Sequence, residues 1–193
     1  MTTEPIAQLA FPGERLFQVV LANLIHETTD GIINAANGNL AHGGGVALAI
    51  ARAAGPELES QSRDIIEQQG VLPTGSAVMT TAGRLPFKGV IHAVGPRQGE
   101  GDEEGKLTSA LMAAYWIADR LGWQSLSQPA VSSGIFAVPL EVCARGYVGA
   151  VREFWAHRPD AGLKIIRLCL VQGALVDVVV DVVRRVHTLE KPV

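Results

Sequence analysis

The chain reads as an α/β sandwich, with helices on both faces of a largely buried sheet. Two observations predict this. Short apolar, β-rich runs alternate with helical patterns along the whole length. Several of those runs are apolar throughout, as strands covered on both faces are. The 193 residues show no internal repeat and no linker to a second domain, so one domain over 1–193 is the simplest organisation.

The elements follow in order. Leu16 to Leu21 reads as a strand, and Gly31 to Ala35 as a buried one. Val46 to Ala54 is alanine-rich with apolar residues all round, so a buried helix is expected. Gly55-Pro56 punctuates it, and Glu57 to Gln69 forms a more polar helix ended by Gly70. Ala77 to Ala82 and Gly89 to Val94 are strands either side of a Gly83-Arg84-Leu85-Pro86 turn. Gln98 to Lys106 is glycine-rich and acidic, and reads as a mobile surface loop. Leu107, Leu111, Ala114, Ala118 and Leu121 then share one helical face. Leu126 to Val131 is a strand containing Pro129, which cannot donate to a ladder, so an edge or irregular position is expected. Pro139 suits the first turn of a helix running to about His157. Ile165 to Val171 is a strand. Ala174 to His187 carries Leu175, Val178, Val179, Val182 and Val186 on one broad helical face, against the grain of its β-branched residues.

Composition narrows the function classes. At 48% hydrophobic and 18% charged, the chain is globular rather than disordered. A formal charge of −3 argues against duplex nucleic acid as a partner. It leaves room for a nucleotide-sized ligand held by backbone amides. Cys143 and Cys169 are the only cysteines, which argues against a disulfide framework and for a reducing, cytoplasmic setting. Residues 1–13 lack the order of a signal peptide, and Asp177 and Asp181 interrupt the Val-rich C-terminus, so no membrane partner is expected. The histidines His26, His42, His92, His157 and His187 form no close pair with ligand spacing, so neither a metal nor another cofactor is expected.

Two segments carry chemistry. Asn34 to Val46 runs from the end of a strand, through Gly43-Gly44-Gly45, to the start of a helix. Val131-Ser132-Ser133-Gly134-Ile135-Phe136 follows another apolar run. Glycines permit close backbone approach, and a helix N-terminus adds oriented N–H groups with partial positive charge. No Asp or Glu occurs from Gly31 through Pro56, or from Arg120 through Leu140, which suits an anionic ligand and equally suits plain burial. Neither segment is a P-loop or a dinucleotide fingerprint, and no nucleophile elbow surrounds Ser132 and Ser133. Asn34 and Asn37 divide two tasks between them, one capping the loop and one bonding a ribose hydroxyl. His42 has two readings, acid–base group or loop stabiliser, and His92 reads as a core or cleft-wall histidine.

These residues resemble the macro domain family. The matching motifs are Asn34-Ala35-Ala36-Asn37 with His42-Gly43-Gly44-Gly45-Val46, Pro73-Thr74-Gly75-Ser76-Ala77, Val90-Ile91-His92-Ala93-Val94-Gly95-Pro96, and Pro129 through Phe136, in family order. The resemblance implies a three-layer α/β/α sandwich with a mixed, mostly parallel central sheet, and a cleft for ADP-ribose or a derivative. It implies that Asn37 contacts the terminal ribose, that Gly43, Gly44, Gly45 and Val46 offer backbone donors, and that Ser132, Ser133, Gly134, Ile135 and Phe136 form the second diphosphate loop. Asn37 and His42 are its catalytic candidates. Asn23, beside Leu24, stands where the family carries an adenine-binding Asp, which implies weaker adenine recognition. Ala47 replaces an Asp found in one hydrolase subgroup, and Ala137 a glycine that often follows the aromatic residue. The implied activities are ADP-ribose binding, as a reader of mono-ADP-ribosylated proteins, or hydrolysis of mono-ADP-ribosyl links, O-acetyl-ADP-ribose or ADP-ribose 1''-phosphate.

Overall fold

The computed structural model describes residues 3–189, with side chains through 186, so the His187 side chain lies outside it. A hairpin opens the chain: β1 (Ala7–Phe11) pairs antiparallel with β2 (Arg15–Leu21). Then come β3 (Gly31–Ala36), α1 (Gly45–Ala54), α2 (Pro56–Gln69), β4 (Ala77–Thr80) and β5 (Val90–Val94). The second half contains α3 (Glu103–Arg120), β6 (Ser125–Gln128), α4 (Leu140–His157), β7 (Ile165–Leu170) and α5 (Ala174–Leu189). The strands form one seven-stranded sheet in the order β1-β2-β7-β6-β3-β5-β4. The five inner strands are mutually parallel, and β1 and β4 close the edges antiparallel. The sheet is therefore mixed and mostly parallel, as expected.

Pleating sorts the core into two halves. Val19, Ile33, Ile91, Leu126 and Leu168 face the cluster built by α3, α4 and α5. Their neighbours Val20, Ile32, Val90 and Cys169 face the opposite way, onto α1 and the start of α2. That explains the uninterrupted apolar runs in β3 and β5. Gly31 begins β3 under an indole: a Cβ there would lie 2.1 Å from Trp123, so the site tolerates no side chain. A polar cluster crosses β2, β6 and β7 within the buried sheet. Arg167 pairs with Glu27 at 2.5 Å and bonds Gln18 Oε1 at 2.7 Å, while the Ser127 hydroxyl donates to Glu27 at 3.0 Å.

Several expectations are corrected. Pro129 lies just beyond β6, which sits in the middle of the sheet and ends at Gln128, so the proline breaks no ladder. The 98–106 segment is held rather than loose. Its Gly99 and Gly101 amides donate to the Glu103 carboxylate, and α3 already starts at Glu103 behind an Asp102 cap. Helix α1 buries only Ala47, Ile50, Ala51 and Ala54, leaving Ala49 and Arg52 in solvent. Leu121 falls one residue past α3 and is 48% exposed. Among the described side chains of α5 the buried ones are Val176, Val179 and Val183, a face rotated slightly from the expected one. Strand β1 has no counterpart in the sequence reading, because Leu9 is its single buried side chain.

Candidate ligand-binding cleft

The cleft lies beyond the carboxyl ends of the parallel strands, where open α/β sheets place ligands. Two loops form its walls. The first leaves β3 at Ala36. Asn37 shapes it from inside: its Oδ1 accepts the Asn39 and Ala41 amides, both at 3.1 Å, and its Nδ2 donates to the Ala41 carbonyl at 2.9 Å. Gly44 is extended and Gly45 takes φ +57, a left-handed turn into α1 that glycine enters without steric cost. The first bond of that helix runs from Leu48 N–H to Gly44 O. The amides of Gly45, Val46 and Ala47 find no partner among the described residues, and no acid stands in the first turn. Three oriented N–H groups thus end at the cleft.

The second loop joins β6 to α4. Ser133 N–H and its hydroxyl both donate to Ala130 O, Ala137 N–H to Gly134 O, and Val138 N–H to Ser132 O. Those bonds leave the amides of Gly134, Ile135 and Phe136 without partners among the described residues. Ser132 and Ala137 hold left-handed φ values of +69 and +56. The Ser132 hydroxyl is buried and unpaired; a Cβ on Gly95 would meet it at 2.3 Å, so that glycine makes its space.

The cleft has two lobes. The smaller, about 390 Å³, is lined by Asn37, Gly43, Gly44, Ser132, Ile135, Phe136 and Arg97. The larger, about 990 Å³, is mostly apolar, with Leu24, Ala49, Leu140, Cys169, Val171 and Leu175 around Asn23. Gly45, Val46, Ala130 and Gly134 line both, forming a shared waist. Neither lobe is lined by an Asp or a Glu. At its outer end Asn23 Oδ1 accepts the Ile25 amide at 3.3 Å, and its Nδ2 is free of partners among the described residues.

Behind the first loop lies a buried relay. Asn34, inside β3, donates Nδ2 to His92 Nδ1 at 3.0 Å. His92 Nε2 lies 2.8 Å from the Thr80 hydroxyl, which donates onward to Thr81 O. An Nδ1 acceptor and an Nε2 donor make the neutral tautomer with its proton on Nε2. Burial, helped by the neighbouring His42 ring, pushes the His92 pKa down to about 3. His42 packs on it at 5.4 Å between centroids and places Nε2 3.1 Å from Ser62 Oγ on α2. Burial lowers the His42 pKa too, against the pull of Glu59.

Asn37, Gly43 to Val46, Ser132, Gly134, Ile135 and Phe136 therefore converge on the smaller lobe and the waist, with Asn23, Leu24 and Ser133 on the larger. His42 lines neither lobe; its ring is turned to α2. Loop capping falls to Asn37, whereas Asn34 is a strand residue holding His92. Sequence reasoning missed Arg97. The available signal was its place directly after a buried strand and Gly95-Pro96, at the sheet end where ligands sit. Cys143 and Cys169 are free, buried thiols, with pKa values pushed up by burial to about 11 and about 12. No group of three metal-ligating side chains converges among the described residues. No helix among them is long and apolar enough to cross a membrane.

Comparisons with known proteins agree with this geometry. The family model of the Macro domain matches residues 33–146. An O-acetyl-ADP-ribose deacetylase of Citrobacter rodentium is 43% identical over 142 residues, covering 72% of this chain and 80% of that protein. An uncharacterized protein of Thermotoga maritima is 42% identical over 164 residues; 84% of this chain matches, but it spans only 27% of that longer protein. Among solved structures, the Oceanobacillus iheyensis macrodomain with ADP superposes with a TM-score of 0.86 at 26% identity, covering 95% of this chain and 98% of that one. The family model covers more than half of the chain and the Citrobacter relative is 43% identical over 72% of it, so the chain belongs to the macro domain family.

Proposed function

We propose that this chain binds ADP-ribose or a derivative, with the base in the larger lobe, the diphosphate at the waist and the terminal ribose in the smaller lobe. The observation that carries this is the waist itself. The amides of Gly45, Val46 and Ala47 in one wall and of Gly134, Ile135 and Phe136 in the other have no partner among the described residues; Gly45, Val46 and Gly134 line both lobes, and no carboxylate lines either. Paired N–H arrays of this kind suit a diphosphate. The apolar lobe suits a flat base, with Asn23 at its rim. Asn37 keeps one Nδ2 proton for a ribose hydroxyl after its three loop bonds. His42 acts by anchoring the first loop to α2. Two free cysteines suit a reducing cytoplasm.

A second reading adds hydrolysis of mono-ADP-ribosyl protein links or of O-acetyl-ADP-ribose. The name of the Citrobacter relative favours it. With no carboxylate lining the cleft, the general base in this reading is a phosphate oxygen of the bound ligand, held by the loop amides. It takes a proton from water as the water oxygen bonds to the ribose C1'' (or the acetyl carbonyl carbon). The bond from that carbon to the modified side chain (or to the ribose oxygen) breaks, and the departing group takes up the proton. The test runs two assays in parallel: calorimetric titration with ADP-ribose, and incubation with a mono-ADP-ribosylated protein. Binding with release of ADP-ribose supports the hydrolase, and binding without release leaves a reader of modified proteins. An Asn37→Ala variant weakens both activities. Absence of both binding and release removes ADP-ribose as the ligand.

A further inference from the structure

Arg97 is the only charged side chain lining either lobe among the described residues. Its guanidinium carbon stands 4.4 Å from the centroid of the Phe136 ring. Stacking on an aromatic face orients the planar fork and leaves its N–H edges open for in-plane acceptors. The backbone is fixed on both sides. Arg97 N–H donates to Glu100 Oε1 at 3.1 Å, and Gln98 N–H donates to Phe136 O at 2.9 Å. The Glu100 carboxylate is engaged elsewhere, since its Oε2 accepts the Thr74 hydroxyl at 3.2 Å. The guanidinium itself makes no hydrogen bond or ion pair among the described residues. An oriented, unpaired cation at the mouth of an otherwise uncharged lobe points to an anion that the protein does not supply.

Resting on the proposed orientation of ADP-ribose, we infer that Arg97 is a specificity-determining residue that selects ligands bearing an anionic group on, or directly beside, the terminal ribose. The proposed ribose lobe is lined by Arg97 and Phe136, so a substituent on that ribose directed toward them meets the guanidinium. A phosphate monoester on that ribose, or a carboxylate next to the modified residue of an acidic protein segment, offers paired oxygens to the fork. A neutral substituent leaves Arg97 hydrated and gains nothing. If Arg97 served only to cover the Phe136 face, its loss would weaken all ligands alike.

The test reads a ratio of affinities, using the full chain as wild type, Arg97→Gln and Arg97→Lys. One arm titrates ADP-ribose against ADP-ribose phosphorylated on its terminal ribose. The other titrates a mono-ADP-ribosylated peptide with Glu neighbours against the same peptide with Gln neighbours. Wild type prefers the charged ligand by about tenfold in at least one arm, the size of one partly exposed charge-assisted pair. Arg97→Gln brings that ratio close to one, and Arg97→Lys keeps part of it through charge without the stacked fork. A ratio that collapses only in the phosphate arm identifies a small-molecule ligand, and one that collapses only in the peptide arm identifies a protein. Equal ratios in wild type and Arg97→Gln in both arms overturn the inference. Failure of wild type to bind any of the four ligands overturns the proposed function instead.

Discussion

Ile135 Cδ1 lies 3.3 Å from the point where a Cβ on Gly44 would stand, so the two loops approach each other across the smaller lobe, beside the waist. Gly44 is extended at φ −170, a backbone conformation open to any residue. Its bareness therefore serves the cleft rather than the chain path. Ile135 is 76% exposed and free to yield, so folding tolerates a side chain at position 44. A ligand seated in the smaller lobe does not. Gly44→Val crowds the site at a cost of about 1–3 kcal/mol, as overpacking does. The expected result is ADP-ribose affinity reduced about ten- to a hundredfold, with an unchanged thermal midpoint. Calorimetry and a melting curve on the same sample check both parts.

Asn23 offers a test of the base end. Its Oδ1 already caps the Ile25 amide, and an aspartate keeps that cap. The substitution Asn23→Asp adds a charged acceptor facing the larger lobe, and charge-assisted hydrogen bonds are about twice as strong as neutral ones. ADP-ribose binds several-fold more tightly to the variant, measured by the same titration. Unchanged affinity refutes the assignment of Asn23 to the base.

Ala137 carries a backbone cost that a glycine removes. At φ +56 its Cβ crowds the chain, a strain of about 1–2 kcal/mol, partly offset because glycine makes the unfolded chain more flexible. Ala137→Gly raises stability by about 1 kcal/mol, or about 2–4 °C in Tm for a chain of this size. Differential scanning calorimetry measures it directly.

His92 makes the fold acid-sensitive. Its folded-state pKa is about 3 against an ordinary 6.5, so the unfolded chain takes up a proton that the folded chain refuses. The stability contributed by neutral His92 is complete above the unfolded value and drains away as pH falls toward 3. The slope reaches about 1.4 kcal/mol per pH unit in that window. His42, also depressed, adds in the same direction. Urea unfolding of wild type and His92→Gln from pH 7.5 to 4.5 shows the steeper loss in wild type. Parallel curves contradict the buried neutral assignment.

Much of this architecture is legible in the residues because strands buried on both faces leave unbroken apolar runs. Ile32-Ile33 and Val90-Ile91 are such pairs, each sending one side chain to either layer. The glycine loop was legible because Gly43-Gly44-Gly45 stands at a strand-to-helix junction. What stayed hidden depends on neighbours distant in sequence. β1 buries only Leu9, so its identity comes from pairing with β2. Pro129 stands within the Leu126 to Val131 run in sequence, yet the strand ends one residue before it, where the loop to α4 begins. The direction of the His42 ring is set by Ser62, twenty positions away on α2. Arg97 gains meaning only from Phe136, which the fold carries back from the far loop.

The most direct test of the central claim is isothermal titration of the full wild-type chain with ADP-ribose, beside Gly44→Val. The account predicts saturable binding at one site per chain in wild type, greatly weakened in Gly44→Val while both proteins remain folded by circular dichroism. A folded wild type that releases no heat beyond dilution, or a Gly44→Val variant that binds as tightly as wild type, contradicts it.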